Sequence, residues 1–133
     1  MLSKKAQYAL KALSILSAAY EKGPILIHVI ADQQKIPLKF LENILLELKN
    51  AGILDSKKGR GGGYYLRESP EKTSIAKVIR VIDGPISMLP CVSMYFYKRC
   101  EDCDETHCKI NDIFKEVRDA TLSVVEHKTL QDL

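Results

Sequence analysis

No stretch of this sequence stays apolar for long enough to cross a bilayer, because charged or polar residues interrupt every hydrophobic run. The opening residues, Met1-Leu2-Ser3-Lys4-Lys5, lead into mixed polar and apolar positions without a signal-peptide core. A cytoplasmic chain with no membrane partner is therefore expected. No internal repeat and no low-complexity tract is found, which argues against a solenoid or a disordered tail. The phosphate-binding pattern G-x-x-x-x-G-K-[ST] is missing, and no nucleophile–base pair stands out, so an enzyme is not expected. Cysteine is absent from residues 1–90: Cys91, Cys100, Cys103 and Cys108 all fall in one short stretch. In a cytoplasmic protein such a cluster points to metal binding or redox chemistry before it points to a disulfide framework.

The 133 residues, 46% of them hydrophobic, suffice for one domain with a real core. The net charge of +3 is unevenly divided. Residues 1–70 hold 11 Lys and Arg against 6 Asp and Glu, and residues 71–133 hold 9 against 11. The basic excess in the N-terminal half fits a face for a polyanion, and it also fits an unevenly charged solvated surface.

Apolar residues at Ala6, Ala9, Leu10, Leu13, Leu16 and Tyr20 have helical spacing over 3–21, and Gly23-Pro24 stops that helix. A shorter helix is expected over 25–34, with Ile27, Ile30 and Ala31 on one face. A third is expected over 37–51, carrying Leu38, Leu41, Ile44, Leu45 and Leu48, with Pro37 in its first turn and Gly52 as a left-handed cap. Two short strands, 53–58 and 64–66, flank Gly59-Arg60-Gly61-Gly62-Gly63 and read as a β-hairpin. Beyond residue 72, Thr73 is the expected cap of a helix with Ile75, Val78, Ile79 and Ile82 inside and Gly84-Pro85 as its stop. Residues 86–108 show no clean period. Residues 109–126 return to helix, with Ile110, Ile113, Phe114, Val117, Thr121, Val124 and Val125 on a broad stripe. That stripe follows an already complete small domain, which favours a dimer seam over a core face.

Three helices and a hairpin are the parts of a winged helix-turn-helix, so the expected fold is mainly α. It comprises a DNA-binding region at 1–72 and a cysteine-containing sensor loop with dimerisation helices at 73–133. In a helix-turn-helix the second helix of the motif enters the major groove by its N-terminal residues. Here those include Pro37, Lys39, Phe40, Glu42 and Asn43; Lys and Asn suit base acceptors and Glu suits a cytosine amino group. An ordinary helical hairpin with a polar face gives the same pattern. The wing tips the balance. Lys57, Lys58 and Arg60 stand on a loop of almost no side-chain bulk, where Gly61 and Gly62 let a backbone approach phosphate and Arg60 suits a narrow minor groove.

Ser3-Lys4-Lys5-Ala6-Gln7-Tyr8-Ala9-Leu10, Ile36-Pro37-Leu38-Lys39-Phe40-Leu41-Glu42, Gly59-Arg60-Gly61-Gly62-Gly63-Tyr64 and Val78-Ile79-Arg80-Val81-Ile82-Asp83-Gly84 together resemble the Rrf-type transcriptional regulators over nearly the whole chain. The resemblance implies a homodimer on a partly palindromic double-stranded DNA operator, with the long C-terminal helix crossing to the partner. By position, it implies that Ser3, Lys5 and Tyr8 anchor the first helix near the DNA backbone. It places Lys39, Phe40 and Glu42 at the major groove, and Lys58 and Arg60 in the wing. Pro37 and Lys39 stand where relatives often have serine, so no operator sequence is carried over.

Cluster-binding members of that family offer three cysteines from this loop and one other ligand. Cys91, Cys100 and Cys103 are the first three ligands expected here, completed by Cys108 or, alternatively, His107. Glu101, Asp102, Asp104 and Glu105 raise the thiols' pKa values and disfavour a bare thiolate, whereas a bound cation reverses that effect. An iron–sulfur cluster, of 2Fe-2S or 4Fe-4S type, is favoured. Zinc, with a regulator or adaptor role, and a thiol switch remain as alternatives. In the nitric oxide sensors of the family a carboxylate before the tyrosine of the first helix is a ligand; Gln7 stands there. His28 and His127 read as structural or surface residues.

Overall fold

A computed structural model describes residues 2–101, 104 and 106–133. Helix α1, Lys4–Ala18, starts where extended Ser3 accepts the Ala6 N–H on its hydroxyl. Ala6, Ala9, Ala12, Leu13 and Leu16 form its buried face, and the small alanines let neighbouring helices come close. Helix α2, Ile27–Gln34, begins two residues later than its periodicity suggests. Ile25 is instead a bridge residue, donating to Tyr64 O at 2.9 Å and accepting from Tyr64 N at 2.8 Å. A short apolar run such as Ile25-Leu26-Ile27 carries no period that separates strand from helix. The turn to α3, Leu38–Asn50, passes through left-handed Lys35, and Pro37 is the residue before the helix rather than part of its first turn. Leu41, Ile44, Leu45 and Leu48 pack inward from α3. Gly52, at φ +81°, closes α3: the Gly52 and Ile53 N–H groups bond back to Lys49 and Leu48 carbonyls at 3.0 Å.

Strands β1, Leu54–Lys57, and β2, Gly63–Leu66, pair antiparallel, with Leu54 opposite Leu66 and Lys57 opposite Gly63. A 3-10 turn at Pro70–Lys72 follows. Helix α4, Ile75–Asp83, is capped by Ser74, whose hydroxyl accepts the Lys77 N–H, and not by Thr73. Thr73 is buried, and its carbonyl accepts the Leu130 N–H at 3.0 Å. Ala76 and Val78 are the buried side chains of α4, with Ile75, Val81 and Ile82 partly buried against the core.

The C-terminal residues form a clamp that no periodicity in the sequence announces. Leu130 is fully buried in the core formed by α1, α2, α3 and the hairpin, and its carbonyl accepts the Ser17 hydroxyl at 3.0 Å. Helix α5, Lys109–Val125, differs from every other helix: its one buried residue is Asn111. Ile110, Ile113 and Val124 remain 59%, 54% and 55% exposed, and Val117 is exposed on the same helix. Such an apolar helix stripe needs a cover, which a second copy of the chain supplies. The fold is thus a winged helix-turn-helix carrying a long dimerisation helix.

Candidate nucleic-acid interface and cysteine loop

Pro37, just before α3, and Lys39, Phe40, Glu42 and Asn43 in its first turns face solvent, while Leu41, Ile44 and Leu45 hold the helix to the core. Phe40 meets Tyr8 of α1 edge to face, with ring centroids 5.6 Å apart, and Lys4 Nζ lies 5.1 Å from the Tyr8 ring. Lys5 is paired with Glu47 of α3 at 2.6 Å. Its charge is therefore already matched, and it braces α1 against α3 rather than projecting alone. Ser3 is likewise engaged: its hydroxyl and N–H both donate to the Asp83 carboxylate at the end of α4. Of the three residues at the start of α1 and its cap expected near DNA, Ser3 and Lys5 have structural partners and Tyr8 supports Phe40.

The hairpin is tied at its base. Lys49 Nζ of α3 donates to Ser56 Oγ of β1 at 2.7 Å, and Arg67 lies 3.5 Å from Asp55. Lys57, Lys58, Arg60 and Lys39 are exposed, and among the described residues none of these four has an ion-pair partner. Uncompensated cations on a braced hairpin form a fixed positive ridge beside α3.

Hairpin geometry accounts for the glycines. Gly59 and Gly61 have φ of +86° and +72°. A Cβ on Gly62 would lie 2.3 Å from the Lys57 carbonyl oxygen, and one on Gly63 2.3 Å from that of Ile25. Gly62 is buried and its N–H bonds to Gly59 O at 3.0 Å, so that group is turned inward. Gly62, expected to let the backbone approach phosphate, instead permits, like Gly63, a close backbone approach within the protein itself. Exposed Gly61 is the glycine of the expected pair that faces outward.

In the loop between α4 and α5, Cys91 lies in a 3-10 turn, Pro90–Val92, and Cys108 caps α5. Both half-buried sulfurs meet one residue: Asn111 Nδ2 donates to Cys91 Sγ at 3.4 Å, and Asn111 N donates to Cys108 Sγ at 3.5 Å. Arg118 of α5 donates to Val92 O at 2.9 Å, holding the same turn. Cys100 is exposed, and Cys103 lies outside the described residues. Among the described residues, no three His, Cys, Asp or Glu side chains are gathered closely enough to hold a metal ion. His107 Nδ1 is 2.6 Å from Asp104 Oδ2. Hydrogen bonds from Thr106, and then from His107, hold the Asp104 carboxyl below its usual range. Sequence reasoning missed Asn111, Asp83 and Glu47. A lone Asn in a helix's first turn and carboxylates on helix faces give no periodic signal.

Three core helices, the third with an exposed N-terminal face sized for a groove, and a cationic wing are the parts of a DNA-binding transcriptional regulator. The family model for Rrf2, described as an iron-dependent transcriptional regulator, matches residues 2–133, and the chain belongs to that family. It is 42% identical to an rrf2-like HTH-type transcriptional regulator of Rhodobacter capsulatus, over 100% of this chain and 91% of that one. The solved structure of CymR, the global cysteine regulator of B. subtilis, superposes with a TM-score of 0.82 at 29% identity, covering 99% of this chain and 94% of that one. That of T. potens IscR gives a TM-score of 0.77 at 25% identity, over 99% and 84%. Regulators of this family bind double-stranded DNA as homodimers. No described helix is long and apolar enough to cross a membrane.

Proposed function

We propose that this chain is a cytoplasmic, sequence-specific operator-binding regulator whose DNA affinity is set by a cysteine-ligated iron–sulfur cluster. Residues 1–72 read DNA, and residues 73–133 sense and dimerise. The observation that carries the DNA reading is the unpaired cationic wing fixed beside the exposed start of α3. Lys39, Phe40, Glu42 and Asn43, led in by Pro37, face base edges. Lys57, Lys58 and Arg60, with the Gly61 backbone, contact phosphates and the minor groove. Lys5 and Tyr8 set the height of α3 above α1, and Ser3 ties that platform to α4 through Asp83.

The cysteine loop fits a thiolate-bound group. Two sulfurs converge on one buried asparagine that offers them N–H donors, the kind of outer contact that orients metal-bound cysteine. Cys91, Cys100, Cys103 and Cys108 would hold the cluster; its bound state supplies an oxidisable, losable link among these four sulfurs. His107 is the alternative fourth ligand. Its Nδ1 against Asp104 leaves Nε2 outward, an arrangement that also suits zinc. The loop joins α4, whose Asp83 holds Ser3, to the dimer helix α5. A change in loop packing therefore acts on the spacing of the two α3 helices across the dimer.

The test combines anaerobic purification, an absorption spectrum with iron, sulfide and zinc analysis, and gel-shift titration of loaded and stripped protein on the gene's own promoter. Visible absorbance and unequal affinities are expected. Equal affinities would remove the switch and leave the DNA reading intact. Cys103→Ala is expected to abolish the colour.

A further inference from the structure

Asn111 is 1% exposed and is the buried residue of a helix whose other side chains face outward or are half covered. Its Oδ1 is buried and has no hydrogen-bond partner among the described residues. Leaving an amide oxygen dry and unpaired costs stability, and an apolar side chain of the same size would avoid that cost. The amide is turned so that Nδ2 points to Cys91 Sγ, while the same residue's backbone N–H points to Cys108 Sγ. One residue thus spans two sulfurs that are 17 positions apart in sequence, the second of them the cap of its own helix. A structural asparagine in a helix's first turn would be expected to satisfy its own oxygen. This one is oriented for sulfur.

We propose that Asn111 is the positioning residue of the cysteine site: its two N–H donors fix Cys91 and Cys108 as a pair of sulfur acceptors and set their electron density. The proposal rests on the reading of these cysteines as ligands. Donors to thiolate sulfur stabilise the added electron of a reduced cluster and so raise its potential. In the stripped protein the Asn111 amide holds the Cys91 sulfur in its half-buried place.

The test uses the full-length protein as wild type, Asn111→Asp and Asn111→Ala. In stripped, reduced protein at fixed pH, iodoacetamide labelling of Cys91 is followed by peptide mapping, with exposed Cys100 as the internal reference. Asn111→Asp keeps the shape but loses the Nδ2 donor that holds the sulfur, and is expected to change the labelling of Cys91 several-fold relative to Cys100. Asn111→Ala unties the sulfur and empties the space, and is expected to speed it. In anaerobically loaded protein both variants are expected to show a more negative midpoint potential. A Cys91-to-Cys100 ratio unchanged in both variants would overturn the proposal, as would an unchanged potential. If wild-type protein holds no iron, the ligand reading fails, while the labelling ratio still decides the role of Asn111.

Discussion

Gly63 is the residue on which the wing's attachment turns. Its φ is +137°, and a Cβ placed there would sit 2.3 Å from the Ile25 carbonyl oxygen, so no side chain fits. Gly63→Ala is expected to destabilise the fold by about 2 kcal/mol or more, read as a lower denaturant midpoint. Arg60, exposed at the tip, is the opposite case. Arg60→Ala should leave the midpoint within about 0.5 kcal/mol and weaken operator binding by roughly 1–3 kcal/mol, measured by fluorescence anisotropy. Unfolding of that variant would make Arg60 structural. The two residues show what was legible at this scale. The cations of the wing stood out in the sequence because charge on a small loop is local information. The purpose of Gly63 did not, because it depends on Ile25, 38 positions earlier.

At the level of elements, the helices were readable wherever a 3.6-residue period ran for three turns, as in α1, α3 and α5. What the period missed were elements defined by distant partners. These are the Ile25 bridge to Tyr64, the cap at Ser74 beside buried Thr73, and the C-terminal clamp at Leu130. The period of α5 is legible, but its partner is another chain, so its apolar stripe stays uncovered in one protomer. Burying each of these side chains contributes roughly 1.5–3 kcal/mol. Val117→Asp should therefore convert the dimer to monomer at micromolar concentration, as seen by light scattering, with secondary structure retained. A dimer that survives would move the seam off α5. At the cysteine loop, the spacing drew attention to the four sulfurs, but the residue that gathers Cys91 and Cys108 was hidden as one polar position in an amphipathic helix.

For the whole molecule, residues 1–72 and 73–133 are not separate bodies. Val78 and Leu130 lie in the same core as α1 and α3, Ser3 is held by Asp83, and Ile75 N–H bonds to Lys128 O at 2.8 Å. The loop between α4 and α5 follows Asp83, whose carboxylate holds Ser3 at the start of α1, and α1 meets α3 through Tyr8 on Phe40 and Lys5 on Glu47. Lys39, Lys57, Lys58 and Arg60 lie together on α3 and the adjoining hairpin, and none of the four has an ion-pair partner among the described residues. The most direct measurement is the salt dependence of operator binding by the dimer, for wild type and Arg60→Ala. Each phosphate contact contributes about −0.9 to the slope of log K against log salt. The expected result is a steep wild-type slope that becomes shallower by about 2 when both protomers lose Arg60. Contradiction would be an identical slope in the two proteins, or no binding to the promoter duplex at low salt with the cysteine site either loaded or stripped.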